Sequence, residues 1–419
     1  MHKIYTLKNG LRIVAENNSY VNSITVGVMI QNGSRNERLE VNGISHFLEH
    51  SLFKGTKKRS KKEIFEAIEN VGGQINAYTG KETTCFYVKN LYTHLDLSLD
   101  ILSDIILNST FEEEEINKEK QVVIEEIKMN EDSPEDVLYD LHSKVAFDGS
   151  ALAYPIAGTS EKVNSFTSEL LKKYVKEKYT PYNSVLSICG KYDEKELEYL
   201  IEKYFSSWTS ETVYKPSYDH ILNTGKGEYI DKPIEQLHIS LGLNSLCSNH
   251  EKEYTLILLS NILGGGASSI LFQKLREEMG LCYSAFCYPM AFRNVGLNTI
   301  SMAVNRESGL LAIEAVKEIL KDFSLKGITN QELTINKEKI KAGYILGREN
   351  SSSRMFSNAK SVLFENRVKT EEEIIKEINN INMNDVVDVL DMCFKPGIIN
   401  AAYLGKDIDY LKFNDVLFQ

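Results

Sequence analysis

Two copies of the pentapeptide INKEK, at residues 116–120 and 335–339, are the feature of this sequence that most constrains its fold. Each copy lies in a charged helical stretch that follows similar strand and helix patterns. The shared order favours duplication over a chance match, so the 419 residues are predicted to form two similar domains. We place the first domain at 1–208, a polar linker at 209–226 and the second domain at 227–419.

Local patterns in the first repeat mix strands with helices. The strand-like segments KIYTL and LRIVAE lie on the two sides of Asn9-Gly10, a dipeptide typical of tight hairpin turns, and a third strand is predicted at 23–30. Helical periodicity at 43–53 predicts a short helix, and 112–141 is a long acid-rich helical stretch that Ser133-Pro134 is expected to break.

Composition limits the classes of partner. Hydrophobic residues make up 42% and charged residues 26%, and no run approaches the ~18 apolar residues of a membrane helix. The formal net charge of −11 argues against a nucleic-acid partner, because phosphate binding needs a dense basic face. Since export patterns and disulfide spacings are also missing, we expect a cytoplasmic protein with reduced cysteines and no membrane partner.

A histidine pair in GISHFLEH, residues 43–50, carries the clearest chemical signal. On a helix, His46 and His50 lie one turn apart and face the same side, so both imidazoles can bind one ion. Glu49 leans to that side and could hold a water molecule at the metal. The plain alternative is a hydrogen-bonded histidine pair, but the spacing favours metal. Because the second repeat has LLSNILGGG instead, we predict one metal ion per chain.

The third protein ligand of this predicted metal site cannot be chosen from the residues alone. Two histidines leave a zinc site one protein ligand short, while catalysis needs a further position open for water. The acidic helical stretch FEEEEINKEKQVVIEEIKMNED is the obvious supplier, but it contains seven glutamates before Asn130. Spacing and composition therefore leave several candidates open.

HFLEH with a distant glutamate resembles the inverted zinc peptidases, the family of pitrilysin, insulysin and the mitochondrial processing peptidases, and in particular its short two-domain bacterial members. The resemblance covers almost the whole chain. It implies an α+β fold of two similar α/β domains, each a mixed, mostly antiparallel sheet with helices packed on it, which together form half of a clamshell. It also implies Glu126 as the third ligand, 76 residues after the second histidine, with Glu125 as the nearest rival. Glu119, one heptad earlier on the same helix face, would orient a histidine or tune the site.

The activity implied by the resemblance is that of a zinc-dependent endopeptidase. A zinc ion on His46, His50 and Glu126 would lower the pKa of a bound water and polarise a peptide carbonyl. Glu49 would act as general base, taking the proton of the water and passing it to the leaving amine.

The resemblance also implies which residues bind substrate. In LREEMGLCY, Arg276 and Tyr283 have the seven-residue separation of the family's arginine–tyrosine pair, which is expected to bind substrate carbonyls near the zinc. In GGQINAYTG, Asn76 and Ala77 match the strand beside the zinc. An exposed strand can pair with an extended peptide through main-chain hydrogen bonds, with little demand on its sequence.

The chain has two predicted domains, whereas the single-chain members of the family carry four. In those members the zinc motif lies in the first domain and the arginine–tyrosine pair in the fourth. The resemblance therefore implies a homodimer in which zinc from one subunit meets Arg276 and Tyr283 of the other. Both composite sites would face a closed chamber that admits short or unfolded peptides. A different subunit as partner stays open.

Two alternatives compete with the peptidase. A catalytically silent peptide-binding or scaffold subunit of the same fold usually lacks the zinc motif or the arginine–tyrosine pair, whereas this sequence has both. A structural zinc site normally has four protein ligands, and only three are apparent here.

Overall fold

A computed structural model of the chain describes residues 2–210, 213–214 and 216–418. Its strands are β1 (His2–Thr6), β2 (Arg12–Asn17), β3 (Ser23–Ile30), β4 (Gln74–Thr79), β5 (Thr84–Leu91), β6 (Ser184–Gly190), β7 (Lys226–Asp231), β8 (Gln236–Asn244), β9 (Cys282–Ala291), β10 (Gly296–Asn305) and β11 (Ile398–Gly405). Its α-helices are α1 (Ile44–Leu52), α2 (Lys61–Glu69), α3 (Leu95–Asn108), α4 (Glu113–Asp132), α5 (Pro134–Phe147), α6 (Ser160–Ser165), α7 (Ser168–Lys178), α8 (Glu194–Phe205), α9 (Glu253–Gly264), α10 (Gly309–Lys326), α11 (Asn330–Gly347), α12 (Ser351–Glu365), α13 (Glu371–Asn380), α14 (Met383–Val389) and α15 (Tyr410–Phe418). Two π-helical segments lie at Phe272–Glu278 and Leu390–Phe394.

The local predictions for the first repeat are confirmed. The chain turns between β1 and β2 at Gly10, whose φ of 94° suits glycine. Helix α4 ends at Asp132, and α5 begins at Pro134 after Ser133, whose hydroxyl accepts the Asp136 N–H. None of the described helices is both long and apolar enough to cross a membrane.

The two sheets share one topology. The first has the strand order β1-β2-β6-β3-β5-β4 and the second β7-β11-β8-β10-β9. When β1 is set aside, β2 to β6 correspond in order to β7 to β11. The β2–β6 and β7–β11 pairs are parallel, whereas the other pairs are antiparallel. The predicted fold class is therefore confirmed, and INKEK lies in the equivalent helices α4 and α11.

Unit 1 consists of Met1–Lys128, Tyr154–Ser217 and Ile345–Thr370. Strand residues alternate between its two sheet faces. Ile13 of β2 belongs to the apolar core that includes α1 and α3, whereas Val14 packs with α12 on the opposite face. Because both faces are buried, β3 is the nearly unbroken apolar run SITVGVMI.

Unit 2 consists of Met129–Ala153, Tyr218–Tyr344 and Glu371–Gln419. Its main core covers one sheet face, where Leu237 and Ile239 of β8 are fully buried. On the opposite face, α5 packs against β11 through an apolar cluster made of Leu138, Leu141, Val145, Ala402 and Leu404.

Each unit therefore includes one helix from the other half of the chain, α12 in unit 1 and α5 in unit 2. The boundaries drawn at 1–208 and 227–419 follow the sequence repeats and stay a prediction. Of the predicted linker 209–226, Glu211, Thr212 and Lys215 lie outside the described residues.

Candidate metal centre

The start of α1 is held by a buried carboxylate. Gly43 precedes the helix with φ 95° and has no side chain to cap it. Glu37 takes over this role, because its oxygens accept the N–H groups of Gly43 and Ser45 at 2.7 and 2.8 Å. Burial raises the pKa of Glu37 to about 7, although these hydrogen bonds oppose the rise. A carboxylate at this end also complements the helix dipole.

His46, His50 and Glu126 converge in unit 1. Nε2 of His46 lies 3.4 Å from Oε1 of Glu126, and Nε2 of His50 lies 3.3 Å from Oε2. One ligand atom from each residue lies within 4.8 Å of the other two, and no other group of three such side chains meets this condition in the described ranges.

These three residues fit a zinc ion. Two ligands bound tetrahedrally at ~2.0–2.1 Å are separated by roughly 3.3 Å, which matches both imidazole–carboxylate distances. Two histidines with one glutamate also form a donor set of catalytic zinc sites, which leaves a position open for water. The buried Nδ1 of His46 has no hydrogen-bond partner among the described residues.

The charges of the cluster suit a cation. Hydrogen bonds from His46 and His50 hold the pKa of Glu126 well below its usual range, so this carboxylate is ionised. Burial lowers the pKa of His50, but Glu119 and Glu126 outweigh it and raise the pKa to about 9. A metal ion that binds here would therefore displace a proton from this imidazole, as is general for metal binding to histidine.

Glu119 fixes the orientation of His50. Its Oε1 lies 2.8 Å from Nδ1 of His50, and its Oε2 lies 2.5 Å from Nζ of Lys54. Burial would raise the pKa of Glu119, but these two partners hold it below the usual value. An ionised Glu119 accepts the proton of Nδ1, which leaves Nε2 free for a metal.

Glu49 is buried beside the metal cluster. Its Oε2 accepts a hydrogen bond from the Thr79 hydroxyl at 2.5 Å. Burial raises the pKa of Glu49, and the Thr79 bond works against that rise. A carboxylate with one oxygen held and a raised pKa suits a general base.

Sequence reasoning missed Lys54, Thr79 and Glu37. The spacing of Lys54, four residues after His50, and the strand alternation that places Thr79 on the same face as Ala77 were available signals. No local pattern pointed to Glu37, because its partners depend on how the loop before α1 folds.

The predicted docking strand β4 lies at one edge of its sheet, where it pairs with β5 within the described part of the chain. Asn76 is exposed, and its Oδ1 accepts the Ala77 N–H at 2.8 Å. Ala77 faces the opposite way and packs against the apolar core.

Arg276 and Tyr283 lie together in unit 2. The guanidinium carbon of Arg276 lies 4.6 Å from the ring centroid of Tyr283 and 4.6 Å from that of Phe272, so the cation contacts both rings. Tyr283 is 77% exposed. The other predicted site residues belong to unit 1.

Comparisons with known proteins identify the family of the chain. The profile of insulinase, peptidase family M16, matches residues 12–160, and that of the M16 inactive domain matches 165–340. A Bacillus subtilis protein named uncharacterized zinc protease YmxG is 42% identical over 92% of this chain and 94% of its own length. A Rickettsia felis protein named uncharacterized zinc protease is 33% identical over 96% of this chain and 97% of its own.

Solved structures show the same fold. The crystal structure of a protease from Helicobacter pylori is 26% identical, with a TM-score of 0.90 over 97% of this chain and 99% of that chain. A Pseudomonas fluorescens structure described as a peptidase M16 inactive domain is 14% identical, with a TM-score of 0.89 over 97% of this chain and 98% of that chain, and shares the fold. From the two matched profiles and these relatives, the chain belongs to the insulinase family of metallopeptidases, peptidase family M16.

Proposed function

We propose that this protein is a zinc-dependent endopeptidase that hydrolyses short or unfolded peptides. The observation that carries the proposal is the convergence of His46, His50 and Glu126 on one point, with Glu49 buried beside them. The names of the relatives, which call them zinc proteases, support the choice of metal.

His46, His50 and Glu126 would hold one zinc ion per chain. When bound, zinc would supply the Lewis acidity for attack of water on a peptide carbonyl. Glu49 takes the proton of the attacking water and gives it to the leaving amine. Glu119 keeps His50 in the tautomer that a metal needs, since it accepts the Nδ1 proton.

Substrate binding is proposed for two places. The free edge of β4 at Asn76 and Ala77 would pair with an extended peptide through main-chain hydrogen bonds. Arg276 and Tyr283 would donate hydrogen bonds to substrate carbonyls and to the oxyanion of the transition state. The exposure of Tyr283 and the ring contacts of Arg276 are consistent with this role.

We further propose a homodimer with composite sites, in which Arg276 and Tyr283 of one subunit serve the metal centre of the other. A closed chamber between the subunits would exclude folded proteins and admit peptides. The net charge of −11 is compatible with cationic peptides but does not assign a cleavage preference.

Cleavage of a mixed library of unstructured peptides, read by mass spectrometry, tests the proposal. We expect the zinc-loaded protein to cut library peptides and to leave a tightly folded protein intact. A chelator should abolish cleavage, and added zinc should restore it. If the zinc-loaded chain cuts no peptide, the proposal is wrong and the silent peptide-binding subunit becomes the better account.

A further inference from the structure

We propose that Thr79 is a positioning residue that holds Glu49 in a fixed place relative to the peptide-docking strand. The inference rests on the proposed function, in which Glu49 is the general base and β4 the docking strand. It adds a residue to which no role in the site has yet been given.

The first support is the contact itself. Thr79 donates its hydroxyl proton to Oε2 of Glu49 at 2.5 Å, and this is the one hydrogen bond of the Glu49 side chain within the described part of the chain. Glu49 is only 9% exposed. Thr79 thus occupies one carboxylate oxygen and leaves the other for the proton of the attacking water, as a general base requires.

The second support is that Thr79 is itself held in place. It is β-branched, so its χ1 angle and therefore its hydroxyl have few alternative positions. The turn that follows is tied to the loop before α1, because Ser34 N–H donates to the Gly80 carbonyl at 3.2 Å and Arg35 N–H to that of Lys81 at 2.8 Å.

A buried ion pair strengthens this tie. Nη1 of Arg35 lies 2.6 Å from Oε1 of Glu82, and the Arg35 side chain is 2% exposed. Two residues further along, Glu37 binds the start of α1. One short loop therefore braces both the turn after Thr79 and the helix that carries Glu49.

The contact between Thr79 and Glu49 links the position of the base to the position of a peptide bound along β4. Ile75, Ala77 and Thr79 alternate onto the face of β4 that packs toward the core, while the edge of the strand remains available to a peptide. A peptide that pairs with this edge takes its position from the same strand that fixes Glu49. Thr79 would thus set the distance between the base and the scissile bond, which affects catalysis more than binding.

The test compares three purified, zinc-loaded variants with wild type on one library peptide. Thr79→Val keeps the branched shape and removes the hydroxyl, and Thr79→Ser restores a hydroxyl. Thr6→Val is the matched control, because exposed Thr6 lies on β1 at the opposite edge of the same sheet. We expect kcat of Thr79→Val to fall about tenfold to a hundredfold, as for loss of a hydrogen bond to a charged group.

KM and zinc content of Thr79→Val should stay within about twofold of wild type, because the substitution affects the general base and not the zinc ligands. Thr79→Ser should recover most of kcat, and Thr6→Val should match wild type. In a crystal structure of metal-free Thr79→Val, the Glu49 carboxylate should have moved. Should this variant fail to fold, Thr79→Ala is expected to give the same kcat loss.

Three results would overturn the inference: wild-type kcat in Thr79→Val, a loss confined to KM, or no recovery in Thr79→Ser. They differ from failure of the proposed function, in which wild type itself cuts no peptide. That result would remove the inference together with the function on which it rests.

Discussion

At the scale of residues, four glutamates of unit 1 take different roles because their oxygens have different partners. Both oxygens of Glu126 face the Nε2 atoms of the histidines. Glu119 divides its oxygens between an imidazole and an ammonium group. Glu37 uses both oxygens on helix N–H groups, whereas Glu49 has a hydrogen bond at one oxygen. These partners favour a ligand, an orienting group, a helix cap and a base, respectively.

The roles of Glu126 and Glu119 can be separated by zinc affinity. Glu126→Gln should lose most zinc binding, because it removes the charged ligand. Glu119→Gln should bind zinc about 10–100-fold more weakly, the usual effect of losing a group that orients a ligand. Glu125→Gln is the matched control, since Glu125 is exposed and pairs with Lys128. Competition titration with a zinc indicator measures all three, and equal affinities for Glu125→Gln and Glu126→Gln would contradict the assignment.

The sequence predicted the placement of side chains where the residues lie close together in the chain. His46, Glu49 and His50 share one helix, so spacing alone predicted that their side chains lie on one side. The choice of Glu126 needed a family resemblance, because seven glutamates fall within one helical stretch. Strand alternation places Thr79 on the same face as Ala77, but it does not reveal the contact with Glu49, which joins a strand to a helix 30 residues away.

At the scale of elements, Gly43 sets how α1 begins. A Cβ at Gly43 would lie 2.6 Å from the Ala157 carbonyl oxygen, and the φ of +95° disfavours other residues. Gly72→Ala is a matched control, because Gly72 has φ +74° and no described atom near the added Cβ. We expect Gly72→Ala to lower the free energy of unfolding by about 1–2 kcal/mol, because its positive φ alone is unfavourable for alanine.

Gly43→Ala should lower the free energy of unfolding more than Gly72→Ala does. It should also lower zinc content, because the clash of the new Cβ with the Ala157 carbonyl displaces the helix that carries the histidines. Denaturant unfolding with metal analysis on the same samples measures both. Equal losses of stability in the two variants, with full zinc content, would show that α1 tolerates the change.

A buried histidine joins three elements of unit 2. His142 of α5 contacts the Ser240 hydroxyl of β8 at 2.6 Å and Asn400 Oδ1 of β11 at 2.8 Å. Burial lowers the pKa of His142 to about 4, although the Asn400 hydrogen bond opposes this. Its neutral form therefore donates from Nε2 to the amide and accepts the serine proton at Nδ1.

This histidine makes stability depend on pH. Between pH about 6.5 and 4 the unfolded chain binds a proton that folded His142 does not, so its contribution is complete above pH 6.5 and falls as pH is lowered. A shift of this size corresponds to about 3 kcal/mol. Unfolding free energies of wild type and His142→Gln across this window measure it. Identical pH slopes in the two proteins would refute the prediction.

The packing partners of α5 and α12 could not be predicted from the sequence. The helical stretch before residue 141 and its break at Ser133-Pro134 were predicted correctly, because periodicity and proline are local signals. Apolar Leu138 and Leu141 indicate that α5 buries one face, but do not say against which sheet. That α5 packs in unit 2 and α12 in unit 1 follows from tertiary contacts alone.

At the scale of the whole molecule, the two sheets share one topology apart from β1, whereas a single cluster of possible metal ligands occurs among the described residues. Glu126 corresponds to Ile345 in the second repeat, so that repeat has an apolar residue at the position of the proposed ligand. The metal cluster in unit 1 and the Arg276–Tyr283 pair in unit 2 are compatible with the proposed composite site, to which both units contribute.

Composite sites predict complementation between two inactive variants. Glu49→Gln and Arg276→Ala should each lack activity as homodimers. In mixed dimers, one site would carry both defects and the other would carry neither. Co-expression should therefore recover about a quarter of wild-type activity, because about half of the dimers are mixed and half of their sites are intact. No recovery from a verified mixed dimer would contradict composite sites.

Our main proposal is that Glu49 is the general base of peptide hydrolysis and is not a ligand of the zinc ion. Wild type and Glu49→Gln should be assayed side by side on unstructured peptides, with zinc content measured on the same samples. The account predicts equal zinc in both proteins, cleavage by wild type and at least a hundredfold lower cleavage by the variant, as expected when a general base is removed. Full cleavage by zinc-loaded Glu49→Gln would contradict it.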